Sequence, residues 1–184
     1  MKADLVERAR RGDQDAFAAL VPAVVNRSYA IAYRILRDPD AAQDATQQAL
    51  LEAWRDLPTL ADVERFDAWL NRLVVNACYS STRRDRRWAA KIRVLPTSQY
   101  STPDAAADVA DRDELERGFQ RLTPEQRAVV VLHHYVGYPL TEVAATLDIP
   151  IGTARSRHHY AIQQLRAAVE ADSRPAFTSQ GRLA

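Results

Sequence analysis

Apolar positions along this chain recur at three- and four-residue steps, the period of an α-helix. From Asp13 to Leu36 the residues Phe17, Leu20, Val21, Val24, Ile31 and Ile35 hold that spacing, with Pro22 inside the run. Proline has no amide hydrogen and clashes with the preceding turn, so the pattern predicts two helices, broken or kinked at Pro22. Asp38-Pro39-Asp40 stops and restarts the chain. Asp40 followed by Gln43 has the form of a capping box, with Asp in place of Ser or Thr. The next predicted helix ends near Asp56, before Leu57-Pro58-Thr59, with Ala42, Ala45, Ala49, Ala53 and Trp54 on one face.

The clearest stripe is Phe66, Trp69, Leu70, Leu73, Val74, Ala77 and Cys78, an amphipathic helix with one buried face. Continued to Arg87, it would be about 33 Å long. The stripe stops near Cys78, yet Arg72, Asn76, Ser80, Arg83 and Arg87 go on recurring at three- and four-residue steps on the opposite face.

Between Arg93 and Asp111 the period disappears and Pro96 and Pro103 interrupt the chain, which predicts a flexible linker over 93–111. Its end is acidic: Asp104, Asp108, Asp111, Asp113, Glu114 and Glu116 face only Arg112 and Arg117. Thr123-Pro124-Glu125-Gln126 then opens a helix with a capping box and proline at its first position, and Val129, Val130, Leu132 and Val136 follow. A short helix, Leu140 to Leu147, a tight turn at Asp148-Ile149-Pro150-Ile151-Gly152 and a last helix from about Thr153 to Val169 form a helix-turn-helix pattern. The expectation is an all-α protein: a helical bundle over 1–92, the linker, a helix-turn-helix domain over 112–171, and a loose tail over 172–184.

Composition agrees with helix: 184 residues carry 47% hydrophobic side chains, enough for a core, and only 5 glycines. The single cysteine excludes a disulfide framework and a Cys-rich zinc site, and it fits a reducing cytoplasm. No run of about 18 apolar residues is present. Met1-Lys2-Ala3-Asp4 opens no signal-peptide core, so the expectation is a cytoplasmic protein without membrane contact of its own.

The 25 basic and 24 acidic residues leave a net charge of +1, which by itself argues against a nucleic-acid partner. The distribution changes that picture. Arg83, Arg84, Arg86, Arg87, Lys91 and Arg93 cluster around one acid, Asp85, and the stretch from Ile149 to Val169 holds Arg155, Arg157 and Arg166 with no acid at all. Phosphate binding depends on counterion release at the contact face and not on net charge. One such patch alone reads equally as a solvated helix face. Two, one of them on a helix-turn-helix, point to nucleic acid.

On the wheel of the last helix, Ala154, His158, Ala161, Ile162, Leu165 and Val169 fall on the packing side. Ser156, His159, Tyr160 and Gln163 face away, flanked by Thr153 and Arg155, and are the candidate base readers. Enzyme chemistry finds little support. His133-His134 and His158-His159 are adjacent pairs whose side chains diverge by about 100° on a helix, and further zinc ligands are missing, so no metal is expected. Cys78 lies on the buried stripe as an inert thiol. No glycine-rich phosphate loop or Ser-His-Asp order occurs, so neither catalytic residue nor cofactor is expected.

Asp40-Ala41-Ala42-Gln43-Asp44-Ala45-Thr46-Gln47-Gln48-Ala49-Leu50, Trp54, Phe66-Asp67-Ala68-Trp69-Leu70 and Asn76 resemble region two of bacterial sigma-70-type factors. Leu122-Thr123-Pro124-Glu125-Gln126-Arg127, Leu140-Thr141-Glu142-Val143-Ala144 and Gly152-Thr153-Ala154-Arg155-Ser156-Arg157 resemble region four. Two domains and a short linker are the layout of the extracytoplasmic-function (ECF) subgroup, and the resemblance covers residues 13 to 170.

The resemblance implies a factor that binds core RNA polymerase and directs it to a subset of promoters. Asp40, Asp44, Gln47, Gln48 and Glu52 would then dock on the clamp helices of the largest polymerase subunit, and region four on the flap. The loop Leu57–Arg65 would hold a flipped base of the melted −10 strand, whose path Asn76, Ser80, Arg83, Arg84 and Arg87 would line. Thr153, Arg155, Ser156, His159 and Tyr160 would read the −35 element. The acidic stretch Asp104–Glu116 would enter a nucleic-acid channel of polymerase as a mimic, or serve simply as a soluble linker. An anti-sigma factor is implied as a further partner. Tyr160, where the family usually carries a basic residue, and Pro22 depart from the pattern. The competing reading is a free-standing helix-turn-helix regulator, which would bind promoter duplex specifically without polymerase.

Overall fold

A computed structural model describes residues 2–92 and 110–172, apart from the side chains of 88–92, 110–115 and 171–172. Most of the expected linker and tail lie outside these residues. Eight α-helices and three short turns account for nearly all of the described chain, and no strand occurs among the described residues.

The chain opens with α1, Lys2–Arg10, which the sequence pattern did not predict. Only Val6 and Ala9 are buried in it, too few for a visible period. Helix α2 runs unbroken over Gln14–Leu36, capped by Asp13, whose carboxylate accepts from the Ala16 amide at 3.0 Å. The expected break at Pro22 does not occur. Pro22 lies on the solvent face, and so does Ala18, whose carbonyl loses its helical partner. Leu20 and Val24 stay buried on the other side and hold the two halves in line.

Helix α3, Pro39–Asp56, starts earlier than the Asp40–Gln43 pattern implied. Its cap is Asp38, which accepts from the Ala41 amide at 2.8 Å, with Pro39 pre-set for the first turn. Its inward face is Ala42, Ala45, Ala49 and Ala53, all nearly inaccessible. Such short side chains let α3 lie close against its neighbours. Two 3₁₀ turns, Leu57–Thr59 and Val63–Arg65, lead into α4, Phe66–Ile92. Its stripe packs as expected, with Phe66, Leu70, Val74, Ala77 and Cys78 buried.

The second half comprises α5 (Ala110–Arg121), α6 (Pro124–Val130), a π turn (Val131–Tyr135), α7 (Leu140–Leu147) and α8 (Ile151–Asp172). The capping box is formed as expected: Gln126 N donates to Thr123 Oγ1 at 3.2 Å, and Thr123 N donates to Gln126 Oε1 at 2.9 Å. Gly118 lets α5 cross α8, because a β-carbon there would meet Leu165 Cδ2 at 3.1 Å and Ala168 Cβ at 3.2 Å. Asp148, with φ of 54°, ends α7, and the Pro150 carbonyl receives Thr153 N at 2.9 Å, so α8 starts at Ile151 instead of Thr153. Ala154, Ala161, Leu165 and Ala168 are its buried line; Val169, expected to pack, is 40% exposed.

One core cluster is confined to the first half, around Leu20, Leu57, Phe66 and Leu70. A second runs from Ile31, Ile35, Val74 and Cys78 into Val129, Leu132 and Val143 of the second half. Polar contacts edge this seam. Asn71 Nδ2 donates to Tyr138 Oη at 3.1 Å, Arg72 pairs with Asp148 at 3.1 Å, and the Arg34 guanidinium lies 3.9 Å from the Tyr135 ring centre.

Candidate nucleic-acid interface

Burial of the α4 stripe fixes what α4 shows to solvent. Asn76, Ser80, Arg83, Arg84 and Arg87 are all exposed along its outer side, and Arg86 is exposed with them. Arg83 Nε donates back to the Tyr79 carbonyl at 3.2 Å, which lays its guanidinium along the helix. Asp85 is the only acid among residues 83–87, so this end of α4 is positively charged.

On α3, Asp40, Asp44, Gln47 and Gln48 are exposed and Glu52 is half-buried. Gln48 Nε2 donates to Glu52 Oε1 at 2.8 Å, one turn apart. The sequence treated the α3 and α4 residues as two separate sites, but packing brings them together. Asp44, Gln47, Gln48 and Glu52 form one wall of a groove, Ser80 and Arg84 the other, with Ala45 and Ala77 between. Asp40 lies outside that groove, in the first turn of α3.

Beside it runs an apolar groove that the sequence reading missed, between α2 and α3. Phe17, Val21, Leu50, Leu51 and Trp54 line it, and Gln47 borders both grooves. Leu51 is 66% exposed, and Trp54 stacks at a tilt on Phe17 with ring centres 5.0 Å apart, half-buried instead of within the core. The signal was available: Leu51 is one turn beyond Gln47 on the exposed face of α3. The loop 57–65 borders a third cavity with Asp62, Arg65, Trp69 and Arg72, and Glu142, Ala145 and Thr146 of α7 close its far side.

On α8, Arg155, Ser156, His159 and Tyr160 are exposed and Thr153 is half-buried. Ser156 Oγ donates to the Thr153 carbonyl at 3.0 Å, and the His159 and Tyr160 rings meet edge to face at 5.8 Å. These side chains occupy the solvent face of the second helix of a helix-turn-helix, well apart in sequence and in elements from the α4 row.

Burial shifts several titratable groups. Burial pushes the Cys78 thiol up to about 12, so it stays protonated and inert near neutrality. Burial also raises the Tyr79 hydroxyl and lowers the Arg37 and Arg127 guanidiniums. One expectation about histidines fails on geometry. The His133 and His134 rings do not diverge: their centres lie 4.6 Å apart, within a π turn, and His158 of α8 joins them.

The described chain thus comprises two helical units, the second a helix-turn-helix. Residues 20–88 match the model of Sigma-70 region 2, and residues 118–167 that of Sigma-70 region 4. The chain is 35% identical over 144 residues to an RNA polymerase sigma-E factor of Streptomyces avermitilis, covering 76% of each chain. It is 31% identical to the ECF RNA polymerase sigma factor SigL of Mycobacterium tuberculosis, over 86% of this chain and 94% of the relative. Its fold is similar to that of the sigma factor RpoE of Bartonella quintana, solved with the anti-sigma factor NepR (TM-score 0.70, 23% identity, 85% of this chain and 98% of that one). It is also similar to CnrH, solved with the cytosolic domain of CnrY (TM-score 0.65, 24% identity, 93% and 98%). The chain belongs to the sigma-70 family of RNA polymerase sigma factors, in the ECF subgroup. It directs promoter-specific transcription and is an initiation factor, not an enzyme. No described helix is long and apolar enough to cross a membrane.

Proposed function

We propose that the two exposed helical faces divide the promoter between them. The α4 row of Asn76, Ser80, Arg83, Arg84 and Arg87 follows the melted −10 strand, where phosphates need charge and flipped bases need a bordering surface. The α8 face of Thr153, Arg155, Ser156, His159 and Tyr160 reads the −35 element as duplex, Arg155 offering a fork for a guanine edge and the neutral side chains single hydrogen bonds. The observation that carries this reading is the exposure of both sets, the half-buried Thr153 apart, on faces whose opposite sides are buried. Tyr160 offers a hydroxyl and a ring in place of a fixed charge, so its contact adds discrimination more than phosphate affinity.

The α3 face, with Asp40, Asp44, Gln47, Gln48 and Glu52, docks on the clamp helices of core polymerase, and region four on the flap. The exposed Leu51 and the Phe17–Trp54 groove give this docking face an apolar centre with a polar rim, the usual anatomy of a protein interface. The cavity beside loop 57–65 takes the flipped base only after α7 has moved away, so the two halves separate on promoter engagement. An anti-sigma factor holds the chain inactive by covering the same α3 face; one solved neighbour of this fold, RpoE, carries such a partner. The acidic stretch Asp104–Glu116 occupies a nucleic-acid channel of polymerase until RNA displaces it.

Run-off transcription with core polymerase and a cognate promoter tests this division. The chain is expected to confer initiation that core polymerase lacks, with −10 defects following α4 substitutions and −35 defects following α8 substitutions. A specific gel shift on promoter duplex without polymerase, together with no effect on run-off, would instead identify a free-standing regulator.

A further inference from the structure

Region four holds a cluster that promoter reading does not use. The segment Val131–Tyr135 is wound as a π turn, a form that recurs at functional sites. Within it the His133 and His134 ring centres lie 4.6 Å apart, and α8 brings His158 against both, with ring centres 5.0 Å and 5.2 Å away. One ring nitrogen from each of the three lies within 4.8 Å of the other two. His134 and His158 point their Nε2 atoms at each other across 2.9 Å.

The hydrogen bonding of His133 is that of a ligand. His133 Nδ1 lies 2.7 Å from the Tyr138 carbonyl, which only accepts, so Nδ1 carries the proton and Nε2 keeps its lone pair. A backbone carbonyl fixing one ring nitrogen while the other is left to bind is the usual support of a metal-bound histidine. His134 is exposed, and His133 and His158 are half-buried, so an ion has an entry path and room for water.

We propose that His133, His134 and His158 bind a single divalent transition-metal ion, with zinc the best match and water in the fourth position. A set of imidazoles with no carboxylate selects zinc, copper or nickel over magnesium or calcium. Ligands about 2.0–2.1 Å from a tetrahedral ion sit about 3.3 Å from one another. The 2.9 Å pair therefore opens slightly and the longest separation closes, by rotation of side chains that are not fully packed. The ion ties α8 to the π turn at the residue preceding His159. On the reading of α8 as the −35 helix, occupancy sets how firmly the reading face is held.

The test is titration of zinc chloride into the metal-free full chain by calorimetry, without DNA or polymerase. Its failure therefore leaves the promoter assignment untouched. One ion per chain is expected, and H134Q and H158L, checked for retained helicity, are each expected to weaken binding by about 100-fold or more. Cobalt(II) added to the unaltered chain provides a readout that needs no variant: intense d–d absorption in the visible marks a tetrahedral nitrogen site. Zinc binding equal in the unaltered chain and in a triple H133Q/H134Q/H158L variant, or cobalt that stays spectroscopically aqueous, overturns the proposal.

Discussion

The outer faces of α4 and α8 both read as nucleic-acid surfaces, but they are built on different principles. Residues 83–87 of α4 expose four arginines around one aspartate, a density of charge that suits any sequence of phosphates. The α8 face exposes Arg155 with Ser156, His159 and Tyr160, one charge among neutral donors and acceptors. On the proposed division, the first would give affinity and the second discrimination, because phosphate contacts carry no sequence information and base-edge contacts do. Net charge, near zero for the chain as a whole, hides both.

The largest effect that separates the two faces is expected from the triple substitution R83A/R84A/R87A. Promoter opening by the holoenzyme should fall by orders of magnitude, and the salt slope of binding should drop by about 2, at about 0.7 per lost single-strand phosphate contact. Footprinting with permanganate across a salt series measures this, and an unchanged slope would break the comparison. R155A is next. It should cost about 1–3 kcal/mol and relax preference at one −35 position, leaving the others as they were. Equal loss across randomised −35 sequences would assign Arg155 to phosphate instead.

A smaller effect is expected from L51A on the α2–α3 groove. It should weaken core-polymerase binding about tenfold without altering the fold, since Leu51 is 66% exposed. Analytical ultracentrifugation or fluorescence anisotropy with core polymerase checks it. P22A serves as the control outside both faces, expected to raise unfolding free energy by about 1–3 kcal/mol with no change in promoter choice. At the small end stands Cys78. With its thiol raised to about 12 from 9.0, the folded chain keeps it neutral where an unfolded chain would ionise. This contribution to stability is complete below about pH 9 and declines as pH rises toward 12. At pH 8 a thiol reagent should therefore react with denatured chain and barely with native chain.

How much of this was legible follows from which residues carry the information locally. The α4 stripe from Phe66 to Cys78 and the Thr123–Gln126 capping box are encoded in short range, and both formed as the pattern required. The outward positions of α4 and α8 followed from the same wheels. Pro22 misled because its cost depends on which face it occupies, and that is decided by burial of Leu20 and Val24 against other helices. Helix α1 went unread because two buried side chains make no period. The meeting of Gln48 and Glu52 with Ser80 and Arg84 in one groove requires two helices to be packed before it exists. The π turn at Val131–Tyr135 has no sequence mark at all, and α-helical geometry wrongly sent His133 and His134 apart.

The chain is expected to act only together with polymerase. Run-off transcription on a promoter library, with core polymerase alone, with the full chain added, and with R155A or R83A/R84A/R87A in its place, tests that directly. Initiation at a defined set of sites that appears only with the full chain, shifts in −35 preference with R155A and collapses at the melting step with the α4 variant is the predicted result. Transcription indifferent to the chain, or variants of the two faces with the same phenotype, would contradict it.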